Sequence, residues 1–516
     1  MSLASESDSD YVDESEWQNE TRLCGVVLRE VFPWLSGADL ARAGATCRAW
    51  RRAACDPPLW RQLLLRDGYL PNLLQKPPPD METVSWREEY VTACAGWKLE
   101  KQHVVAAGGV SLLHAALAPS HDTLALSTDD ASLIVWRCEH GEWCELWRSE
   151  LRSRGWASLA RVLWARIGNR LLLTGPRVLI DDWELMVLQL DEDYRGGCVL
   201  SRVRCSAGAA GCWADAGDTF LSLELRVLAP GIACTTVWLN AATQETQSEY
   251  AGVRSPLLRI FNEGGAHITH ALVANTEPDG RRTLITGSAR GLGAWPVVEP
   301  RPQPLLAGAP GELAERVQRR RVRRGSPEEP APAPDEASVR AACAPPDREC
   351  PLAAPLIGLV LHDSGRWVCA VCSDGSVTFV CTRTLVILRE CRAPAAGAGP
   401  AAAAAFGPQH YVQPAVSAYY AASPAGGYSP RVWTWSLRSG ARQCVGCAGG
   451  GAGGAGGGAG GAGQRGAAVC ALLPRAPAAR AALLTLATDT LYVWRSRATL
   501  QSPPGGDSCC STEPRP

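Results

Sequence analysis

Read for apolar periodicity, the chain has two textures. Between residues 21 and 70 the spacing is helical: Leu28, Val31, Phe32 and Leu35 fall at i, i+3, i+4 and i+7, one face of a helix. Leu40, Ala43, Cys47, Trp50 and Ala54 continue at steps of three and four, which predicts a second helix, with Gly37 separating the two. Asp56-Pro57-Pro58 ends that run, and Leu59-Trp60 opens a third, short helix. A further amphipathic helix is predicted around Ser85–Ala95, where Trp86, Tyr90 and Val91 keep helical spacing. From about residue 97 to 500, short β-rich runs alternate with turn residues.

The β texture repeats. Leu124, Leu126 and Thr128 alternate, Asp129-Asp130-Ala131-Ser132 turns, and Leu133-Ile134-Val135-Trp136 follows, a hairpin that closes on Trp. The last copy, residues 483–494, closes the same way on Trp494. Weaker copies between them end near 188, 238, 295, 379 and 435, which gives seven units. These ends lie roughly 50–60 residues apart, with one wider gap, against about 40–45 for a plain WD unit. Seven blades would close into a ring without a free edge, with Gly96 to Val105 supplying the closing strand of the last blade. Units two and three lack the Asp turn, so six or eight blades stay open as counts, and an open sandwich is the rival architecture. The fold class expected is mainly β: a seven-bladed WD-type β-propeller preceded by a small α-helical domain.

Composition adds boundaries. Residues 1–20 hold seven acids and no Lys or Arg, which predicts a disordered tail. The helical domain spans 21–70, and 71–96 is a linker with one helix, opening on the Pro-rich joint 71–80. Within the propeller, 97–500, two stretches read as flexible insertions: 297–353, which carries Arg319, Arg320, Arg321, Arg323 and Arg324, and the Gly/Ala run 448–466. Residues 501–516 read as a disordered tail. A net charge of −1 gives no basic field, so nucleic acid is not predicted as a partner. No run approaches the roughly 20 apolar residues of a membrane span. The 21 cysteines show no regular framework and no signal peptide opens the chain, which predicts free thiols in the cytoplasm, with the nucleus as a second location. The Arg-rich stretch fits a nuclear signal or acidic-partner patch, or a solvated loop.

Candidate chemistry is sparse. His267 and His270 stand three apart with no Cys or acid to complete a ligand set, while His114 fits the buried histidine that ties strands together. Cys369 and Cys372 sit in a predicted strand, where residues three apart face opposite sides. Cys444 and Cys447 have no partner pair, and the Gly run lacks a Lys-Ser/Thr and opens no helix. No catalytic, cofactor or metal site is expected, and the chain reads as a non-enzyme.

The helical residues carry more apolar bulk than a bundle of that length can bury, which predicts an exposed apolar patch for a partner. Their order, Leu28…Phe32…Leu35…Asp39-Leu40…Cys47-Arg48…Trp50…Leu59-Trp60, closely resembles the F-box, with Leu23-Cys24 where that family has Leu-Pro. An F-box followed by a propeller resembles the F-box/WD-repeat class. One member is matched more closely through Ser85-Trp86…Glu88-Glu89-Tyr90, Gly211-Cys212-Trp213 and Val237-Trp238-Leu239-Asn240-Ala241. The resemblance implies a substrate-recognition subunit of an SCF-type (Skp–cullin–F-box) ubiquitin ligase. Leu28, Val31, Phe32, Leu35, Leu40, Cys47, Trp50, Leu59 and Trp60 would bind a Skp-type adaptor and through it a cullin-RING ligase, and the propeller would hold the protein substrate. It also implies targets in centrosome duplication and in actin or growth signalling. A second adaptor, of the damaged-DNA-binding type, needs a Trp-Asp-x-Arg box, and the unit ends at Trp136, Trp435 and Trp494 all lack the Asp. The alternative is a non-ligase propeller scaffold in a fixed complex.

Overall fold

The computed structural model describes residues 27–70 and 85–496, apart from 106–109, 141, 179–182, 209–210, 245–253, 276–281, 298–334, 363, 393–412, 418–419, 425–430, 438, 447–467, 473–481 and 488. Two compact units emerge, one helical and one of β-sheet, the second spanning Trp97–Trp435 and Cys444–Arg495. The acidic N-terminal stretch, Leu23-Cys24, the joint 71–80, Arg319 to Arg324, the Gly run and the 501–516 tail lie outside the described residues.

In the helical unit a first turn, α1 (27–31), is cut short because Pro33 tightens the chain into the 3-10 segment Phe32–Trp34. Ser36 then caps α2 (Gly37–Ala43), its hydroxyl accepting from the Asp39 N–H at 3.2 Å. The second expected helix is in fact two. Gly44 closes α2, and Cys47, in extended backbone, caps α3 (Arg48–Ala54), its Sγ accepting from the Trp50 N–H at 3.5 Å. The periodicity survives this break because Leu40 and Ala43 on α2 and Ala54 on α3 point into one core. Gly37 is no separator but the first residue of α2, where a Cβ would overlap the Tyr90 ring. α4 (Pro57–Arg66) starts on proline, whose missing N–H is not needed in a first turn. α5 (Trp86–Ala95), expected within the linker, belongs to this unit, with Tyr90 and Ala93 buried in its core. Residues 436–443 belong to it too: Ser436 and Ser439 donate to the Glu89 carboxylate at 2.6 and 2.7 Å.

The β unit is seven sheets of four strands. Blade 1 is Leu112–Leu117, Thr123–Thr128, Ser132–Glu139 and Glu142–Glu150, antiparallel throughout, with Leu124 opposite Trp136. The unit ends at 136, 188, 238, 295, 379, 435 and 494 each fall in the third strand of a blade. The closing strand is also where the pattern put it: Trp97–Val104 joins Thr490–Ser496 in the seventh sheet.

No single centre holds this unit; its core lies between blades. On Leu133-Ile134-Val135-Trp136 every residue is buried, and alternation divides them. Ile134 and Trp136 pack with Leu484 and Val493 of blade 7, whereas Leu133 and Val135 pack with Val162 and Leu173 of blade 2. The same division recurs between blades 2 and 3, 3 and 4, 4 and 5, and 6 and 7. Blade 2, which lacks the Asp turn, uses a different tie. The buried Glu184 carboxylate accepts from Arg202 at 2.9 Å and from the Trp156 indole N–H at 2.6 Å. Removing one partner from such a pair strands a buried charge and costs about 3–5 kcal/mol.

Within the stretch expected as a flexible insertion, 297–353, the described end is ordered into elements. Asp335 caps α6 (Glu336–Ala341), accepting from the Ser338 N–H at 2.6 Å, and Arg348–Pro351 is the outer strand of blade 4. Their apolar signal is only Val339 and Cys350, too sparse to stand out from the Pro- and Ala-rich text around it. Among the described residues no helix is long and apolar enough to cross a membrane.

Candidate functional site

One edge of the helical unit carries bare apolar side chains. Leu28 and Phe32 turn inward, which leaves Val27, Val31 and Trp34 pointing out, at 56%, 47% and 85% exposure. Trp34 is held there rather than left loose. The Arg66 guanidinium donates to the carbonyls of Pro33 and Leu35, at 2.7 and 2.9 Å, on either side of it. Arg66 also donates to Asp67 at 2.9 Å, and Asp67 accepts from the Tyr90 hydroxyl at 2.6 Å. Burial pushes the Asp67 carboxyl up, but the bonds from Tyr90 and Arg66 outweigh it and hold the group below its ordinary value. Burial and the bond to Asp67 push the Tyr90 hydroxyl well above its usual range, so it stays a donor. This chain of contacts ties α5 and α4 to the backbone that presents Trp34.

The nine sequence-derived residues fall in different surroundings. Leu28, Phe32, Leu40, Leu59 and Trp60 are core: each is buried, and the Trp60 indole donates to the Ala54 carbonyl at 2.6 Å. Leu35 and Trp50 are half-buried, Trp50 edge-on to Phe32 at 5.7 Å. Val31 and Cys47 are exposed, Cys47 doing a capping task. The residue missed is Trp34. It lies off the i, i+3, i+4, i+7 stripe, and the sign available was a tryptophan directly after the helix-breaking Pro33.

Beside α2 and α3 a cleft of about 500 Å³ is lined by Leu40, Cys47, Trp60, Arg48, Arg51 and Arg87. The Arg87 guanidinium sits 5.9 Å from the Trp60 ring centroid.

In the β unit His114 is fully buried and its Nδ1 accepts from the Val162 N–H of blade 2 at 3.4 Å, the strand-tying role expected of it. Burial, with Arg161 nearby, drives its pKa well down, so the ring is neutral and can accept. His270 is buried likewise and falls to about 3 through burial and Arg161. Cys369 and Cys372 lie on one buried strand, Trp367–Cys372. Among the described residues no three His, Cys, Asp or Glu cluster as metal ligands, and Cys447 lies outside them. A second concavity, about 700 Å³, runs along Phe261, Arg290, Trp295 and Arg340.

Residues 26–66 match the F-box-like family. F-box/WD repeat-containing protein 5 of Rattus norvegicus is 25% identical over 258 residues, and the Homo sapiens protein 24% over the same length. Each alignment covers 48% of this chain and 43% of the relative, so the match spans less than half the length of these curated relatives. Among solved structures, the β-propeller domain of Myceliophteria thermophila Cps50 (Swd1) superposes with a TM-score of 0.46 at 12% identity, covering 78% of this chain and 99% of that one. The chain thus carries an F-box-like domain ahead of a seven-bladed propeller and is a divergent relative of F-box/WD repeat-containing protein 5.

Proposed function

We propose that this chain is the substrate-recognition subunit of an SCF-type E3 ubiquitin ligase, working in the cytoplasm. The F-box-like unit docks a Skp-type adaptor, and the propeller holds the protein to be ubiquitinated. Receptors of this class are generally non-catalytic: they act by proximity and orientation, while cullin-bound partners transfer the ubiquitin. The observation that carries the reading is the edge formed by Val27, Val31 and Trp34 on an F-box-like domain, an exposed tryptophan fixed by Arg66. Aromatic anchors of this kind dominate protein interfaces, at about 2 kcal/mol or more each.

Co-expression of the full chain with a Skp-type adaptor tests it. Trp34→Ala combined with Val31→Ala should weaken adaptor binding roughly thirtyfold, the equivalent of about 2 kcal/mol. An unchanged affinity would remove the proposed docking edge. The assembled complex with cullin, RING subunit and E2 should transfer ubiquitin to captured proteins. Adaptor binding without any transfer would favour the scaffold reading instead.

A further inference from the structure

Blade 3 and helix α6 bring two cysteines together away from the docking edge. On the third strand of blade 3, Ile232–Ala241, Cys234 stands opposite Arg226 on one neighbouring strand and Phe261 on the other. α6 closes over this spot. Its Val339 is fully buried beside Cys234, in a small cluster that includes Ile232, Phe261 and Cys343. Two further contacts pin the helix and its exit. The Ala344 N–H donates to the Arg259 carbonyl at 2.7 Å, and the Arg340 guanidinium lies 4.3 Å over the Phe261 ring and pairs with Glu263. Cys343, between these anchors, packs against the same small cluster as Cys234. Both are free cysteines, Cys234 buried and Cys343 half-buried on the wall of the 700 Å³ concavity.

We propose that Cys234 and Cys343 are a redox-responsive pair that closes to a disulfide under peroxide and fastens α6 to blade 3.

The surroundings suit that chemistry. The hydrogen bond from Cys343 comes first in stabilising a Cys234 thiolate; Arg259 and Arg226 add to it, and burial and Glu224 oppose it, with a net lowering. For Cys343 the same bond, burial and the charge on Cys234 act upward against Arg259 and Arg340, so it remains the thiol. The Cys234 thiolate attacks one oxygen of hydrogen peroxide; the O–O bond breaks, hydroxide leaves and a sulfenic acid forms. The Cys343 sulfur then attacks the Cys234 sulfur, its proton leaving with the displaced hydroxyl as water. The two sulfurs give up two electrons, and the peroxide is reduced to hydroxide and water.

Hydrogen peroxide added to the full chain at pH 7, followed by alkylation, non-reducing digestion and mass spectrometry, tests the pair. A peptide linking Cys234 to Cys343 should appear before Cys369 or Cys372 is oxidised, since Cys234 packs beside a second thiol and is lowered in pKa, whereas burial raises both of those. Dithiothreitol should reverse it. In Cys343→Ser the cross-link is lost and Cys234 stops at a dimedone-trappable sulfenic acid. This variant alters a half-buried site, and circular dichroism confirms its fold. Sulfinic acid on either residue without the linked peptide, or oxidation of Cys369 and Cys372 first, overturns the proposal. The wild-type measurement stands even if the variant misfolds.

Discussion

At the scale of single residues, burial separates two kinds of tryptophan in the helical unit. Trp60 is 2% exposed, bonds the Ala54 carbonyl and lies tilted against the Tyr90 ring at 5.4 Å. Trp60→Ala should therefore destabilise the unit by about 3–5 kcal/mol, the usual loss for a buried large side chain. Trp34, 85% exposed, has no such packing to lose, so Trp34→Ala should leave the unfolding midpoint within about 0.5 kcal/mol of wild type. Urea unfolding of the two variants, followed by the helical signal, checks the contrast. Equal losses would mean that Trp34 is structural, and the docking edge would lose its anchor. The contrast also marks a limit of pattern reading. Helical spacing finds residues that face inward together, so it selected Leu28, Phe32 and Leu40, which are core. An exposed side chain such as Trp34 has no inward neighbour to set its spacing, so the helical pattern does not select it.

Elements were legible in proportion to how many of their residues are committed to packing. The third strands of the blades were the clearest, because both faces are buried and a Trp ends several of them: Trp136, Trp435 and Trp494 are all buried there. The break between α2 and α3 was hidden, since residues on either side keep one inward direction while the backbone turns at Gly44 and Cys47. Long-range polar ties were equally hidden. Asp67 at the end of α4 meets Tyr90 of α5 only once the unit has folded. That tie carries a pH dependence of fixed sign. The folded carboxyl titrates below its ordinary 3.8, so its contribution is complete above that value. It is lost as the pH falls through the lower, folded value. Acid unfolding of wild type should thus show a component below pH 3.8 that Asp67→Asn lacks, and Tyr90→Phe should shrink it. A wild-type curve that Asp67→Asn merely shifts without changing its slope in that range would assign the acid sensitivity elsewhere.

For the whole molecule, the ring is the consequence of how alternation spends each strand on two neighbours. A blade in the middle of the sequence, such as blade 2, finds both neighbours within its own stretch of chain. Blades 1 and 7 find each other only across the full length of the β unit, through Leu124 and Ile134 on one side and Leu484 and Val493 on the other. The strand Trp97–Val104 makes that meeting covalent in effect, because it precedes blade 1 in the chain yet completes the sheet of blade 7. Its Trp97 donates to the Thr434 hydroxyl at 3.0 Å and packs edge-on to Tyr420 at 5.4 Å, so it also reaches blade 6. Interrupting this strand at a residue that takes part in neither neighbour's core isolates the closure from the packing. Lys101, paired with Glu142, is such a position, and Lys101→Pro fixes the backbone φ there and removes its N–H without emptying a core site. The expected outcome is a β unit that keeps its far-UV spectrum in native buffer but unfolds in two steps, with blades 7 and 1 opening first, because the edges of an opened ring are exposed. Hydrogen exchange followed by peptide mass spectrometry should then show protection lost in 112–150 and 482–495 and retained in 161–262. Uniform loss across all blades would mean that closure and packing are one cooperative unit, and that the strand does no more than any other in the ring.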